Sequence, residues 1–267
     1  MQGRLSQQLG QKIQEFPIEF WKEEFIAARD VGFDSIEWVF DSINNPILRD
    51  DVLIEIIKVS SKNNISINSI IADFFMEHSL IKESNSEENF KILKKLIENA
   101  HKLKIKIIEI PFVDSSSLKS YEDIENLEEK IRKIIPFLER YNIMIVLETD
   151  LDPSSFAQLL DRINHRLVQA NYDSGNSASL GYVPKEEFDY LGKSIKNVHI
   201  KDRLLNSGTV PLGSGNVDFD LLFKLLKKIE YDGDLIIQGA RKTNISPKDT
   251  CKEYFYFVKQ YVDKYLN

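Results

Sequence analysis

The sequence predicts a single (β/α)8 barrel, and three observations carry that prediction. Helical and extended segments alternate along the whole chain, the extended ones are short and rich in β-branched residues, and the alternating units number eight. Helices alternating with short buried strands imply parallel pairing through right-handed crossovers. At 267 residues the chain also has close to the usual length of such a barrel, about 250 residues. No linker, low-complexity tract or composition shift divides it, so residues 1–267 read as one domain. An open doubly wound sheet would place a glycine-rich turn directly after its first strand, and Gly3 alone does not make one.

Taken in order, the first strand is MQGRL, which is unusually short and reads as truncated. The remaining seven are SIEWVF, ISINSIIA, IKIIEIPF, IMIVLE, LVQANYD, IKNVHI and DLIIQG. Helices are expected over Ile18–Val31, Asp50–Asn63, Glu87–Lys104, Tyr121–Tyr141, Pro153–Ile163, Pro184–Leu191, Asp218–Ile229 and Pro247–Leu266. Asp152-Pro153 supplies an N-cap followed by proline at the first helical position, and Val183-Pro184 and Ser246-Pro247 place proline in the same way. Phe90, Leu93, Ile97 and Ala100 recur at spacings of three and four, an amphipathic stripe for their helix.

The formal charge of −7 argues against nucleic acid as a partner, because a phosphate backbone attracts a basic surface. Four histidines leave little material for a multi-metal nuclease site. The one cysteine, Cys251, excludes an intrachain disulfide and reads as a small side chain on the last helix. The N-terminus lacks the apolar stretch of a signal peptide. No run approaches the ~18 apolar residues of a membrane span. The expectation is a soluble, cytoplasmic protein.

In a barrel of this kind, functional groups sit at the C-terminal ends of strands, and alternate residues point inward. Polar residues fall at those ends on one parity again and again. Val146 and Glu148 share a face, as do Asn171 and Asp173; Asn197, His199 and Lys201; and Ile236 and Gln238. Earlier strands add Glu37 after Ser35 and Glu109 after Ile107. Buried charges are rare unless they are paired or bind a metal. Carboxylate, carboxylate, imidazole and amide oxygen form a donor set suited to one divalent ion such as Mn, Mg, Co or Zn.

At these residues the chain resembles the sugar phosphate isomerase/epimerase family, the xylose isomerase-like TIM barrels. The resemblance runs from MQGRLS through FDSIEW, VLET, NYDSGN, VHIKDR and PLGSGNVDF to IIQGAR, in order and along almost the whole chain. It implies that Glu148, Asp173 and His199 are metal ligands. Many relatives carry a glutamate as fourth ligand, where this sequence has Gln238. An amide oxygen still suits a hard divalent ion, but a charge and a base are lost. The symmetric scheme of the family's ketose epimerases, in which two metal-bound glutamates exchange protons on opposite faces of the substrate, is thereby put in doubt. Asn176 stands where many epimerases have a substrate-contacting histidine, and relatives usually have several apolar residues before MQGR.

The expected roles follow. Glu148 is the first candidate base, with Lys201 or Glu37 second. Lys201 could equally pair with Glu148 or Asp173, and Glu37 could make a structural hydrogen bond. Arg203, Arg4, Asn176, Glu109 and Arg241 are candidate substrate contacts, Arg203 alternatively forming a rim ion pair with Asp202 or Glu148. Asp73 reads as a loop cap. PLGSGNVDF is either a phosphate cradle or, the preferred reading, a glycine turn followed by a helix capped by Asp218. His78, His101 and His165 lie off the strand-end pattern, and Trp38, Phe40, Phe74 and Phe75 read first as core.

The expected activity is a metal-dependent isomerisation or epimerisation of a small sugar or sugar derivative through an enediolate. A dehydratase or lyase using the same metal site is the enzymatic alternative, and a non-catalytic barrel binding a sugar or a partner is the other. The expected partner is the sugar itself, with homo-oligomer formation left open.

Overall fold

A computed structural model describes residues 1–8, 10, 14–82 and 85–267. Seven parallel strands form one sheet in chain order: β1 (Trp38–Val39), β2 (Ser69–Ile71), β3 (Ile107–Phe112), β4 (Met144–Thr149), β5 (Val168–Asp173), β6 (Ile195–Ile200) and β7 (Leu235–Ile237). Among the described residues ten α-helices accompany them. These are α1 (Trp21–Val31), α2 (Asp50–Asn63), α3 (Phe74–Glu77), α4 (Ser86–Lys102) and α5 (Tyr121–Tyr141), then α6 (Pro153–Ile163), α7 (Ser174–Leu180), α8 (Pro184–Leu191), α9 (Phe219–Lys228) and α10 (Pro247–Tyr265). No helix among the described residues is long and apolar enough to cross a membrane.

The helices form where the sequence places their punctuation. Asp152 and Ser246 accept hydrogen bonds from the backbone N–H groups of Ser155 and Asp249, ahead of Pro153 and Pro247. The stripe Phe90, Leu93, Ile97 and Ala100 on α4 is buried as its spacing requires. Two helices were not foreseen. α3 is a single turn, and α7 follows β5 directly, capped by Asp173 at one end and by Gly181 in the left-handed region at the other.

The expected first strand takes a different form. Met1 to Leu5 occupy the seam between β1 and β7 as turns rather than as a ladder. The N–H of Gln2 donates to Glu37 O at 3.1 Å, Val39 N–H donates to Gln2 Oε1 at 3.2 Å, and the Met1 amine reaches Ile237 O at 3.4 Å. The backbone then turns at Gly3, whose φ is +74° and where a Cβ would lie 2.5 Å from Glu15 O. The donors that would have formed a ladder go instead to the buried Glu24 carboxylate: Gly3 N–H at 2.9 Å and Leu5 N–H at 3.1 Å.

Strand register places the polar residues level. Asp173 pairs with His199, and His199 with Ile236. A bulge between Ala170 and Asn171 shifts the β5–β6 register, so that Asn171 and Asp173 oppose Asn197 and His199. Trp38, Phe40 and Phe75 are buried in the hydrophobic core, as their default reading has it, and Trp38 spends its ring N–H on Asn45.

Candidate active site and metal centre

His199 is the pivot of the site. It is fully buried, and its two ring nitrogens face different acid pairs. Nε2 lies 3.0 Å from Glu37 Oε2 and 2.9 Å from Glu109 Oε2, both of zero exposure. Nδ1 lies 3.7 Å from Glu148 Oε2 and 3.9 Å from Asp173 Oδ2 and has no hydrogen-bond partner among the described residues. The tight side is anchored further by Ser69 and Asn197, which donate to Glu37 Oε1 at 2.8 and 3.1 Å.

Amides and cations hold the loose side. Asn171 donates to Glu148 Oε2 at 2.7 Å, and Asn176 donates to Glu148 Oε1 at 2.5 Å. The backbone N–H of Asn176, in the first turn of α7, donates to Asp173 Oδ1 at 2.8 Å. The carbonyl end of Asn176 accepts from Arg203 Nη1 at 2.8 Å and from Lys201 Nζ at 3.3 Å, while Lys201 also reaches Asp173 Oδ2 at 3.4 Å. Lys201 crosses α7 at Gly175, where an added Cβ would lie 2.6 Å from Lys201 Cγ. Ser174 ties α7 to β6 by donating to Lys201 O at 2.7 Å.

At the end of β7, Gln238 is buried and its backbone N–H donates to Ile200 O at 2.9 Å. Its Nε2 donates to Gln14 Oε1 at 2.6 Å, and Gln14 Nε2 donates to Asp73 Oδ2 at 2.5 Å. Gln238 Oε1 is buried with no partner among the described residues.

This crowding of acids perturbs their titration. Burial, then Glu109 and Asp173, push the Glu148 carboxyl well above the usual carboxylate range. Burial also raises Glu109 and lifts Asp73 to about 7 against the hydrogen bond from Gln14. For Glu37 burial pulls upward too, but the facing His199 wins and holds it low. Burial opposes a charge on His199, and Glu109 and Glu37 outweigh it, holding its pKa well above the imidazole range.

Several sequence expectations fall elsewhere. Arg241 donates to the backbone carbonyls of Ser6, at 2.8 Å, and Gly3, clasping the turned N-terminal segment. Arg4 lines a cavity of about 350 Å³ between β7, α10 and the residues before β1, a cavity that none of the His199 cluster borders. Arg241 is thereby turned to backbone carbonyls, while Arg4 carries an electrostatic interaction with Asp73. Arg203 pairs with Asn176 and with Ser207 O rather than with Asp202 or Glu148. Asp202 is instead taken up by backbone N–H groups of Gly213, Gly215 and Val217 at 2.8 to 3.2 Å. Asp218 caps α9 through Leu221 N–H at 2.9 Å, as the turn reading requires. Asp73 caps nothing. His78 stacks on Phe74, His101 bonds Tyr141 O, and His165 faces Glu139, all away from the cluster.

Residues 25–254 match the sequence profile of the xylose isomerase-like TIM barrels. The chain belongs to that family. The protein described as L-ribulose-5-phosphate 3-epimerase UlaE of Shigella flexneri serotype 5b is 22% identical over 247 residues, 86% of this chain and 85% of that protein. Uncharacterized protein MJ1311 of Methanocaldococcus jannaschii is 26% identical over 156 residues, and this chain spans only about half of its length, 52%. A xylose isomerase-like TIM barrel protein from Mycobacterium smegmatis, solved in complex with magnesium, superposes with a TM-score of 0.75 at 19% identity, covering 98% of this chain and 94% of that one.

Within a xylose isomerase-like barrel, the residues on the loose side of His199 fit a divalent ion. Glu148, Asp173 and His199 each offer a donor atom, all within 4.8 Å of one another. Nδ1 of His199 and Oε1 of Gln238 are buried donors left without partners among the described residues. The second triad, Glu37, Glu109 and His199, is as compact. There, however, the imidazole already meets both acids at hydrogen-bond distance. Metal-bound histidines characteristically donate their other ring N–H to a carboxylate, which is the part Glu37 and Glu109 can play.

Sequence reasoning passed over Asn171, Asn197 and Ser69 as site residues, although the first two stand on the inward parity two positions before Asp173 and His199. Gln14 carried no signal, since it lies outside any periodic element.

Proposed function

We propose that the protein is a divalent-metal-dependent isomerase or epimerase of a small sugar or sugar derivative, with Glu148, Asp173, His199 and Gln238 holding the ion. The single observation that carries this reading is the unpartnered His199 Nδ1 facing Glu148 and Asp173 at 3.7 and 3.9 Å. Those gaps exceed hydrogen-bond length, and donor atoms so placed would suit a shared divalent ion. Four buried carboxylates crowd one imidazole and Lys201, and a cation would offset the charge these acids carry when ionised. The similarity to the Shigella relative, an L-ribulose-5-phosphate 3-epimerase, supports the sugar chemistry.

When bound, the ion supplies Lewis acidity to neighbouring carbonyl and hydroxyl oxygens of the sugar. The protein's own residues do the rest. Glu148, raised by burial and by its acidic neighbours, is the base that takes the proton next to the carbonyl. Asn171 and Asn176 fix both of its oxygens, so it presents one orientation to the substrate. Lys201 and Arg203 stand on the carbonyl end of Asn176 and offer positive charge to the enediolate oxygens. Glu37 and Glu109 are assigned to orienting His199 rather than to touching substrate, because both are completely buried beneath it.

Gln238 narrows the reaction. An amide exchanges no protons, and Asp173, the other carboxylate among the four ligands, is held by Asn176 N–H and Lys201, so Glu148 is left as the base. A single base returns the proton on the face from which it took it, which suits transfer between adjacent carbons better than inversion at one. Aldose–ketose isomerisation is therefore the favoured outcome. The test is to incubate the manganese-loaded protein with a panel of pentoses and hexoses in D2O. Deuterium should enter at the carbon beside the carbonyl, and Glu148→Gln should abolish its entry. Sugars bound without any exchange would point instead to a binding barrel.

A further inference from the structure

We propose that Gln14 and Asp73 form a positioning relay that fixes which end of the Gln238 amide faces the Glu148–Asp173–His199 cluster. The inference rests on the metal site proposed above and deepens it. A carboxylate presents an oxygen whichever way it turns, but an amide does not: only its oxygen accepts a cation, and its NH2 end repels one. A glutamine among metal ligands therefore needs something to settle its orientation, and the structure holds a chain of three side chains that does so.

The chain begins at Asp73, between β2 and α3. Ionised, as it is above the value of about 7 to which burial lifts it, its carboxylate can only accept, so it draws the NH2 end of Gln14, at 2.5 Å. That leaves Gln14 Oε1 pointing away from Asp73, where it accepts from Gln238 Nε2 at 2.6 Å. With its NH2 end committed, Gln238 is left with Oε1 buried and unpartnered among the described residues, the one atom of this amide able to bind a cation. Each contact dictates the next, and the polarity of the whole chain is set by one acid. Asp73 makes no side-chain cap to α3, so its hydrogen bond from Gln14 is the part its carboxylate plays here. Gln14 comes from the segment before α1, so the relay also ties that segment to the barrel mouth.

The test is calorimetric titration of the full-length protein with Mn2+ alone at pH 8.5, above the value of about 7 to which burial lifts Asp73. Gln14→Leu removes both ends of the central amide and should weaken Mn2+ binding about 10-fold, the equivalent of one hydrogen bond to a fixed ligand. The same substitution in a Gln238→Glu background should change the affinity by less than about 2-fold, because a carboxylate has no wrong end. The paired change Gln14→Glu with Asp73→Asn keeps a donor facing an acceptor at both contacts, and should restore most of the affinity lost in Gln14→Glu alone. Melting of the metal-free variants separates these effects from a general loss of fold. Equal Mn2+ affinity in wild type and Gln14→Leu overturns the relay, as does an equal loss in both backgrounds. A wild-type protein that binds no Mn2+ overturns the metal site itself, and the relay with it.

Discussion

The two sides of the His199 ring carry the same chemistry in different states. Each nitrogen faces two carboxylates, but Glu37 and Glu109 close on Nε2 at 3.0 and 2.9 Å, while Glu148 and Asp173 stand off from Nδ1 at 3.7 and 3.9 Å. The tight side is sealed, with neither acid exposed at all. The loose side meets Asn171, Asn176, Lys201 and, through Asn176, Arg203. A residue type therefore says little by itself about role: the closed pair anchors the imidazole and the open pair has room for something more.

Removing the ring should have the largest effect. His199→Ala leaves the acids of both sides without their shared partner, which should cost the metal-free protein about 3–5 kcal/mol and eliminate Mn2+ binding. Thermal melts and metal analysis check both. The next contrast separates the sides. Glu148→Gln should lower turnover about 10²–10⁴-fold, the usual worth of a general base. Glu109→Gln should weaken metal affinity about 10–100-fold, as loss of a buried partner to a ligand histidine does, yet recover turnover at saturating metal. If both variants lost turnover equally at saturating metal, the division of labour between the sides would be wrong.

The pH dependence sharpens the same comparison. Glu148 is raised well above its ordinary 4.5 and His199 well above its ordinary 6.5. Both groups therefore bind protons more readily when folded than when unfolded, and stability should fall as pH rises from those ordinary values toward the folded ones. The lowered Glu37 acts in the opposite sense at acid pH, where it loses stability as it protonates. The metal-free protein should consequently melt lower at pH 8.5 than at pH 6.5. Mn2+ competes with protons for His199 and Glu148, so its stabilising increment should be greater at pH 8.5. Melting curves at the two pH values, with and without Mn2+, decide this. The smallest effect is expected from Gly175→Ala, whose methyl would push Lys201 off its path over α7. It should raise KM several-fold with little change in metal affinity.

Much of this site was legible in the sequence because barrel strands alternate strictly. Glu148, Asp173 and His199 each stand at a strand end, and the register carries Asp173 and His199 to one level. The helices bounded by Asp152-Pro153 and Ser246-Pro247 begin where those signals place them. What parity does not encode is which partner a side chain chooses. Arg241 looked like a mouth residue but spends its guanidinium on backbone carbonyls of a turn that Gly3 makes possible. The glycines of PLGSGN wrap the carboxylate of Asp202, so that loop's donors are already taken. Asp73 and Gln14 meet across a long stretch of sequence and from irregular backbone, where no periodicity announces a contact.

The central claim is that the open side of His199 holds one divalent ion. Crystals grown with Mn2+ and measured at the manganese absorption edge test it most directly. The account predicts one anomalous peak, bonded to His199 Nδ1, Glu148, Asp173 and the oxygen of Gln238 at about 2.0–2.2 Å. A peak on the Nε2 side between Glu37 and Glu109, or no peak at the cluster, would contradict it.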